Sequence, residues 1–365
     1  MRRLRTSYGY DTYRGRTKLQ TALTVLIMIL LIVLILAVAA FFLLQRYMVY
    51  TDDGQAHLEL PFLQQATPAP PVQTQEQPLV IVTEEPAATP VPQPTLAPVQ
   101  VPAVAPVSLF RAAVTEGSAQ RLVTAAGGNA ALLNMKANDG SLGYVSSLPA
   151  AISAGTSAAE SALNGQLLAV TEGELYTIAR VSCFKDNLAP KADGTLAIKT
   201  NSGYNWRDGE DTRWMNPTVQ AARQYIRDIC VELAGMGFDE ILLDNSGWPT
   251  TGHLNYIKVG EAYDPTDLTA SVERFYQEVR EALKDREILV SISVSADALN
   301  GTDALSGQSA ALLGQYADRV YVLGAEAVGA CDEVLAAVGL TGSAVVYVDP
   351  AASDLSTTGK LVAAP

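Results

Sequence analysis

Residues 288–297 read Ile-Leu-Val-Ser-Ile-Ser-Val-Ser-Ala-Asp, an alternation of apolar and small polar side chains. Successive side chains of a β-strand point to opposite faces, so the pattern predicts a strand with two different faces. One face is apolar and is expected to lie under helices. The other carries Leu289, the serines and Asp297. We expect this second face to point into a barrel, with Asp297 at the carboxyl-terminal mouth.

Short apolar runs of this kind recur along residues 107–365 and are separated by stretches with helical periodicity. The other runs are 108–114, 130–136, 175–184, 240–245, 319–324 and 344–349, with a weak last run at 361–364. The clearest helix is predicted over 265–284, where apolar residues are spaced by three and four. This alternation and the length of 259 residues predict an α/β fold, the (β/α)8 TIM barrel, which typically has about 250 residues.

Residues 19–45 contain no charged side chain and consist mostly of Leu, Ile, Val, Ala and Phe. A helix needs about 20 apolar residues to cross a bilayer, so one transmembrane anchor is expected here. A cleaved signal peptide is the alternative, but its apolar core is usually only about 7–15 residues long. Six basic residues precede the run, and only Arg46 follows it before two acids. The positive-inside rule therefore predicts a cell-membrane protein with a cytoplasmic N-terminus and an extracellular C-terminal domain.

Residues 61–106 hold 12 of the 19 prolines. Proline lacks the N–H group that helices and central strands need, so this stretch predicts a disordered, extended stalk. The expected organisation is a cytoplasmic basic tail over 1–18, the transmembrane helix over 19–45, an extracellular Pro-rich linker over 46–106 and the barrel over 107–365.

Charge and side-chain inventory argue against several classes of function. Residues 107–365 carry 18 Lys and Arg against 31 Asp and Glu, so nucleic acid is not expected as a partner. The two histidines, His57 and His253, cannot supply a zinc site of several histidines. Three widely separated cysteines indicate neither a metal knuckle nor a disulfide framework. No metal and no organic cofactor is expected.

Carboxylates and tryptophans collect at or just after the predicted strand ends. Asp244, Asp297 and Glu326 are the candidates for catalysis. Cleavage of a glycosidic bond uses one carboxylic acid to protonate the leaving oxygen and one carboxylate as nucleophile or base. The candidates for substrate binding are Lys136, Arg180, Lys185, Trp206, Asp208, Trp214, Asn245 and Trp248. Flat indole faces suit the apolar faces of sugar rings, so the inventory favours a sugar-processing site.

Each candidate also has a structural alternative. Asp244 can cap the turn after its strand, and Asp297 can be a turn residue. Lys136 and Arg180 can form structural ion pairs, and each tryptophan can serve loop packing. These alternatives stay open on the sequence alone.

A series of motifs carries a resemblance to a known family. The motifs are NMKANDG at 134–140, ARVSCFKD at 179–186, WRDG at 206–209, WMNP at 214–217, GFDEILLD at 237–244, WP at 248–249 and VSAD at 294–297. In this order they resemble a family of bacterial exported TIM-barrel domains described as glycoside hydrolases and distantly grouped with α-galactosidase-like enzymes. The resemblance covers roughly residues 108–320.

The chain departs from this family at several positions. Asn134 stands where the family usually has Asp, and Asn245 stands where it usually has Tyr. The usual Pro-Met-x-Tyr-Pro segment is replaced by residues 323–326, and no tryptophan follows Trp248. The resemblance implies a glycosidase barrel, and the departures imply a divergent or inactive one.

We therefore expect a membrane-anchored extracellular glycoside hydrolase that acts on a cell-wall or extracellular polysaccharide. Asp244 would be the nucleophile or base, with Asp297 or Glu326 as the general acid. The alternative is a catalytically degenerate barrel that binds carbohydrate in the cell wall. The expected partners are a poly- or oligosaccharide and, through residues 19–45, the membrane.

Overall fold

The computed structural model describes residues 27, 48–50, 56–58, 101–109, 116–302, 305–352 and 354–362. They belong to two units, residues 1–90 and residues 91–365. In the first unit, strands β1 (Met48–Tyr50) and β2 (Ala56–Leu58) pair antiparallel. The predicted transmembrane helix over 19–45 lies outside the described residues except for Ile27. Among the helices that are described, none has the length and apolar character needed to cross a membrane.

The second unit is an α/β structure on one curled, mixed sheet of eight strands. The strands are β3 (Pro106–Leu109), β4 (Ala130–Lys136), β5 (Tyr176–Ser182), β6 (Glu240–Asp244), β7 (Leu289–Ser295), β8 (Arg319–Leu323), β9 (Val345–Tyr347) and β10 (Gly359–Lys360). Their order is β10-β3-β4-β5-β6-β7-β8-β9, and β3 to β9 run parallel. Seven of the predicted runs overlap a strand. The last strand begins two residues before the predicted run at 361–364.

Helices connect the parallel strands, as parallel pairing requires. They are α1 (Glu116–Ala125), α2 (Pro149–Ala154), α3 (Leu163–Thr171), α4 (Ala189–Ala192), α5 (Gln220–Gly235), α6 (Thr269–Leu283), α7 (Ala296–Leu299), α8 (Ala310–Tyr316) and α9 (Asp332–Ala336). Helix α6 begins later than the periodicity predicted. The Asp264 carboxylate accepts hydrogen bonds from Thr266 N–H (2.9 Å) and Oγ1 (2.7 Å), which forms a turn before the helix.

The last strand departs from the all-parallel barrel that the sequence predicted. Strand β10 pairs antiparallel with β3. It is also linked to the other edge of the sheet, because Val348 forms a bridge with Val362 and Asp349 N–H donates to Leu361 O (2.8 Å). A short connection without a helix can join two antiparallel strands, but it is too short for the crossover that joins two parallel strands. Because no described residue between β9 and β10 is helical, β10 returns antiparallel.

The core has two layers, as the alternation in β7 predicted. Val290, Ile292 and Val294 are buried in the outer layer with residues of α6, whereas Ser291 and Ser293 belong to the opposite face. A separate apolar cluster fills the inside of the curled sheet. Its buried members are Ala130, Leu132, Ile178, Leu242, Tyr321, Val346, Val348, Leu355 and Leu361.

The amino-terminal end of the parallel strands is closed by a buried ion pair. The Arg319 guanidinium contacts the Glu240 carboxylate, and neither side chain is exposed. Tyr176 Oη (2.9 Å) and Tyr321 Oη (3.1 Å) donate to the same carboxylate. Arg319 also donates to Pro102 O. The residues just before β3 are therefore bound to this end of the sheet, and the polar site lies at the other.

Candidate active site

Asp244 ends strand β6 and is the most deeply placed of the predicted catalytic carboxylates. Only 5% of the residue is exposed. Its Oδ2 accepts hydrogen bonds from Arg180 Nε (2.8 Å) and Nη2 (2.5 Å), and its Oδ1 accepts one from Ser293 Oγ (2.5 Å). These three bonds hold the Asp244 carboxylate in one orientation.

Arg180 lies beneath this carboxylate on the neighbouring strand β5 and has no exposed surface. Besides Asp244, it donates from Nη1 to Asn134 Oδ1 (2.7 Å) and from Nη2 to Asn138 Oδ1 (2.6 Å). All three guanidinium nitrogens are thus bonded to protein oxygens. Arg180 is therefore the residue that orients Asp244. It does not line the pocket that opens above Asp244, which is described below.

Asn245 follows Asp244 with a positive φ of 47°, a conformation that Asn tolerates better than most residues. Its Nδ2 donates to Ser182 Oγ (3.1 Å) and Asn138 Oδ1 (3.3 Å). This turn directs the Asn245 side chain across the end of β5, next to the Asp244 carboxylate.

A pocket of about 610 Å³ opens above Asp244 at the carboxyl ends of the strands. Its charged and amide side chains are Asn138, Lys185, Glu210, Asp244, Asn245, Glu326, Asp349 and Asp354. Glu326, in the loop after β8, is exposed there. The pocket therefore brings together two of the three predicted catalytic carboxylates, Asp244 and Glu326.

A second pocket of about 230 Å³ shares Lys185, Asp244 and Asn245 with the first. Trp214, Trp248 and Asp208 also line it. Lys185 Nζ lies 2.7 Å from Glu210 Oε2 and 3.6 Å from Asp208 Oδ2, so its charge is balanced within the pocket wall. The predicted binding residues Lys185, Asp208 and Asn245 thus stand together at this mouth.

The three tryptophans are buried, with exposed fractions of 1% for Trp206, 8% for Trp214 and 3% for Trp248. Their indole N–H groups donate to His253 O, Asp208 Oδ2 and Ser271 Oγ, respectively. Trp206 lines neither pocket, and its contacts are those of loop packing. Trp214 and Trp248 reach the smaller pocket, but nothing in their geometry forms the open three-indole platform that the sequence suggested.

Asp297 corrects one orientation predicted from the alternation. Period two ends at Ser295, whose Oγ accepts a hydrogen bond from Ala298 N–H and caps α7. Asp297 therefore lies in the first turn of that helix, where it is exposed and its Oδ1 accepts from Thr302 Oγ1 (3.2 Å). It lines neither pocket that contains Asp244.

Lys136 is likewise placed away from the mouth. A register shift between Asn134 and Lys136 in strand β4 breaks the alternation that grouped them. The Lys136 ammonium, which has no exposed surface, lies 2.8 Å from Asp186 Oδ2 and donates to Ser182 O (2.7 Å). The observed arrangement is a buried ion pair behind the strand ends.

Four charged or amide residues of the pocket were not among the predicted site residues: Asn138, Glu210, Asp349 and Asp354. Asn138 Nδ2 donates to Asp354 Oδ2 (3.1 Å), which ties the segment after β9 to the Arg180 network. Burial raises the pKa of Asp354, but hydrogen bonds from Ser356 and the charges of Arg180 and Lys185 outweigh it and lower the pKa below its ordinary value. The only signal in the sequence is the turn-forming Asp-Leu-Ser spacing at 354–356.

The model of a family described as "Putative glycosyl hydrolase domain" matches residues 111–323, more than half of the chain. This match confirms the resemblance seen in the motifs. No curated protein is detectably similar to the chain. Among the described residues, no cluster of three or more His, Cys, Asp or Glu side chains could hold a metal ion.

Several solved structures are similar to the chain. A hypothetical protein from Ruminiclostridium thermocellum is 24% identical, with a TM-score of 0.44, and the match covers 51% of this chain and 96% of that one. The PgaB (BpsB) glycoside hydrolase domain from Bordetella bronchiseptica is 15% identical, with a TM-score of 0.49, over 72% and 87% of the two chains. A Group IV chitinase from Ostrinia furnacalis is 11% identical, with a TM-score of 0.39, over 72% and 71%.

Proposed function

Because the chain belongs to the family of putative glycosyl hydrolase domains, we propose that it is a membrane-anchored glycoside hydrolase that cleaves a cell-wall or extracellular polysaccharide. The observation that supports this most is the position of Asp244. Its carboxylate is fixed by Arg180 and Ser293 at the floor of a pocket that also contains Glu326. A pair of carboxyl groups in one pocket is what hydrolysis of a glycosidic bond needs.

In this proposal Asp244 acts as the nucleophile or as the base that activates water. Either role needs an ionised carboxylate with one oxygen lone pair turned to the substrate. The two bonds from Arg180 occupy Oδ2, whereas Oδ1 accepts one bond, from Ser293. A carboxylate oxygen has two acceptor sites, so Oδ1 keeps one for the substrate or water.

Glu326 is then the proposed proton donor to the leaving oxygen. It is preferred to Asp297 because Glu326 lines the pocket and Asp297 does not. Asp354 also lines the pocket, but its lowered pKa keeps it ionised and unsuited to donate a proton. Trp214, Trp248 and Asp208 in the adjoining pocket would contact neighbouring sugar rings.

The test measures release of reducing ends by the full-length protein from a panel of α- and β-linked polysaccharides and purified cell-wall glycan. We expect turnover to be lost in Asp244→Asn and strongly reduced in Glu326→Gln, while Asp297→Asn keeps it. Retention of activity in Asp244→Asn would overturn the assignment. If no glycan is cleaved although one is bound, the chain is the degenerate binding barrel.

The anchor and the export of the domain are proposed from the apolar run at 19–45 and its flanking charges. The test is fractionation of cells that express the full chain, followed by protease treatment of intact cells. We expect the protein in the membrane fraction and the domain accessible to external protease. Recovery of the intact chain from the soluble fraction would contradict both parts.

A further inference from the structure

The two pockets at the mouth have an unequal balance of charge. Six carboxylates line them: Asp208, Glu210, Asp244, Glu326, Asp349 and Asp354. Among the described residues, the cations next to them are Lys185 in the lining and Arg180 beneath the floor. The volume of the larger pocket and the buried Asp244 on its floor identify it as the candidate site. The charges of its lining are the basis for inferring the kind of sugar that it binds.

Both cations are already balanced. Arg180 is bonded to Asp244, and Lys185 lies between Glu210 and Asp208. Within the part of the chain that the structure describes, the lining of the larger pocket therefore offers no uncompensated cation. A uronic acid or a sulfated sugar would have to place its anion here without a partner, which is unfavourable.

The three remaining acidic residues follow β8 and β9 on one side of the pocket: Glu326, the proposed proton donor, and the carboxylates Asp349 and Asp354. None of them forms an ion pair with another described residue. Hydrogen bonds from Ser356 and the charges of Arg180 and Lys185 outweigh burial and lower the pKa of Asp354, so this carboxyl group is ionised at neutral pH. Asp349 Oδ1 accepts a hydrogen bond from Ala351 N–H (2.8 Å), which fixes its carboxylate at the rim.

We propose that this pocket binds a polysaccharide carrying free, protonated amines, that is, an amino-sugar polymer whose nitrogen is not acylated. An ammonium group in this pocket is attracted by the Asp349 and Asp354 carboxylates, and it can also donate hydrogen bonds to them. An N-acetylated sugar has no such charge, and an acidic sugar is repelled. This inference rests on the proposed function and specifies its substrate class.

The test is calorimetric titration of the full-length protein with three probes: a β-linked glucosamine oligomer, its fully N-acetylated counterpart and a galacturonate oligomer. We expect the glucosamine oligomer to bind at least about tenfold more tightly than the acetylated one near 20 mM NaCl, and this preference to fall to about threefold or less near 300 mM NaCl, because salt screens exposed charges. The galacturonate oligomer should bind most weakly.

Asp349→Asn is the matched variant, because an amide oxygen can still accept the bond from Ala351 N–H. It should weaken binding of the glucosamine oligomer about threefold at low salt and leave the acetylated oligomer unaffected. Glu281→Gln removes the same charge from an exposed position at the other end of the domain, and both affinities should stay unchanged.

The proposal is overturned by equal affinity for the amine and acetylated oligomers, by tighter binding of galacturonate, or by no detectable binding of the amine at low salt. Its failure is distinct from failure of the hydrolase assignment. Cleavage of a neutral glycan without charge preference removes only the substrate inference. Salt-sensitive, amine-selective binding without any cleavage supports the inference and overturns the proposed hydrolase.

Discussion

The buried pair between Arg180 and Asp244 gives a prediction about stability. In Arg180→Gln, the Asp244 carboxylate loses two hydrogen bonds and its compensating charge while it stays 95% buried. Removing one partner of a buried ion pair costs about 3–5 kcal/mol, so we expect the free energy of unfolding to fall by that amount. With a urea dependence near 3 kcal/mol per M for a domain of this size, the midpoint should move down by about 1–2 M.

Intrinsic fluorescence is a suitable probe, since all three tryptophans lie in residues 107–365 and are buried. Urea unfolding of the full chain is compared for Arg180→Gln, Asp244→Asn and the double variant. Each single change leaves a buried polar partner without its hydrogen bonds. The loss of unfolding free energy in the double variant should therefore be at least about 2 kcal/mol smaller than the sum of the two single losses.

Arg207→Gln is the control, because its pair with Asp211 is exposed and should contribute less than about 1 kcal/mol. A loss below about 1 kcal/mol in Arg180→Gln, or additive losses in the double variant, would refute the reasoning.

Three further predictions concern residues other than the charged and amide side chains of the pocket. Glu232 accepts bonds from Tyr144, Ser146 and Ser147, which outweigh burial and lower its pKa. Glu232→Gln should therefore cost about 1–2 kcal/mol at pH 7. A carboxyl group whose pKa is lowered on folding stabilises the protein at pH values above its unfolded pKa of 4.5. The difference in unfolding free energy between the wild type and Glu232→Gln should therefore shrink as the pH falls below that value. A difference that is independent of pH between 7 and 3 would contradict this. Gly140→Ala places a Cβ in steric clash with Asp186 Oδ1. It should lower the thermal midpoint more than Gly127→Ala, where φ is also positive but no atom lies within 4 Å; equal shifts would rule out the clash. Leu355→Ala, inside the curled sheet, should cost about 2–5 kcal/mol in urea unfolding. A cost below about 1 kcal/mol would show that Leu355 is not packed there.

Much of the sheet could be predicted from the sequence, because its strands are buried on both faces and read as separated apolar runs. The position of Asp244 followed from the same logic, since it directly follows Ile241-Leu242-Leu243 and the carboxyl ends of parallel strands share one edge. The alternation in β7 correctly assigned its two faces up to Ser295.

The errors occurred where local hydrogen bonds replace strand periodicity. Asp297 was placed by period two, but the Ser295 cap begins a helix first. A shift of register in β4 removed Lys136 from the face of Asn134. Neither a cap nor a bulge changes the apolar pattern enough to be recognised in one sequence.

The contribution of the last segment could not be predicted either. Asp349 and Asp354 lie in turns, and their place at the mouth depends on the antiparallel return of β10 beside β3. That pairing is non-local and involves only two residues in the strand. For the tryptophans, composition suggested an open sugar platform but gave no information on where each indole N–H finds its acceptor.

The pocket is assembled from two stretches of chain that differ in their relation to the family. Asp244, Arg180 and Lys185 lie within the matched residues 111–323, whereas Glu326, Asp349 and Asp354 lie after them. One stretch holds the deep carboxylate, and the other supplies most of the opposite wall. Substitutions at Glu326, Asp349 and Asp354 would therefore change one wall of the pocket and leave its floor at Asp244 unchanged. A fragment trimmed to the matched residues would lose more than half of the residues that line the larger pocket.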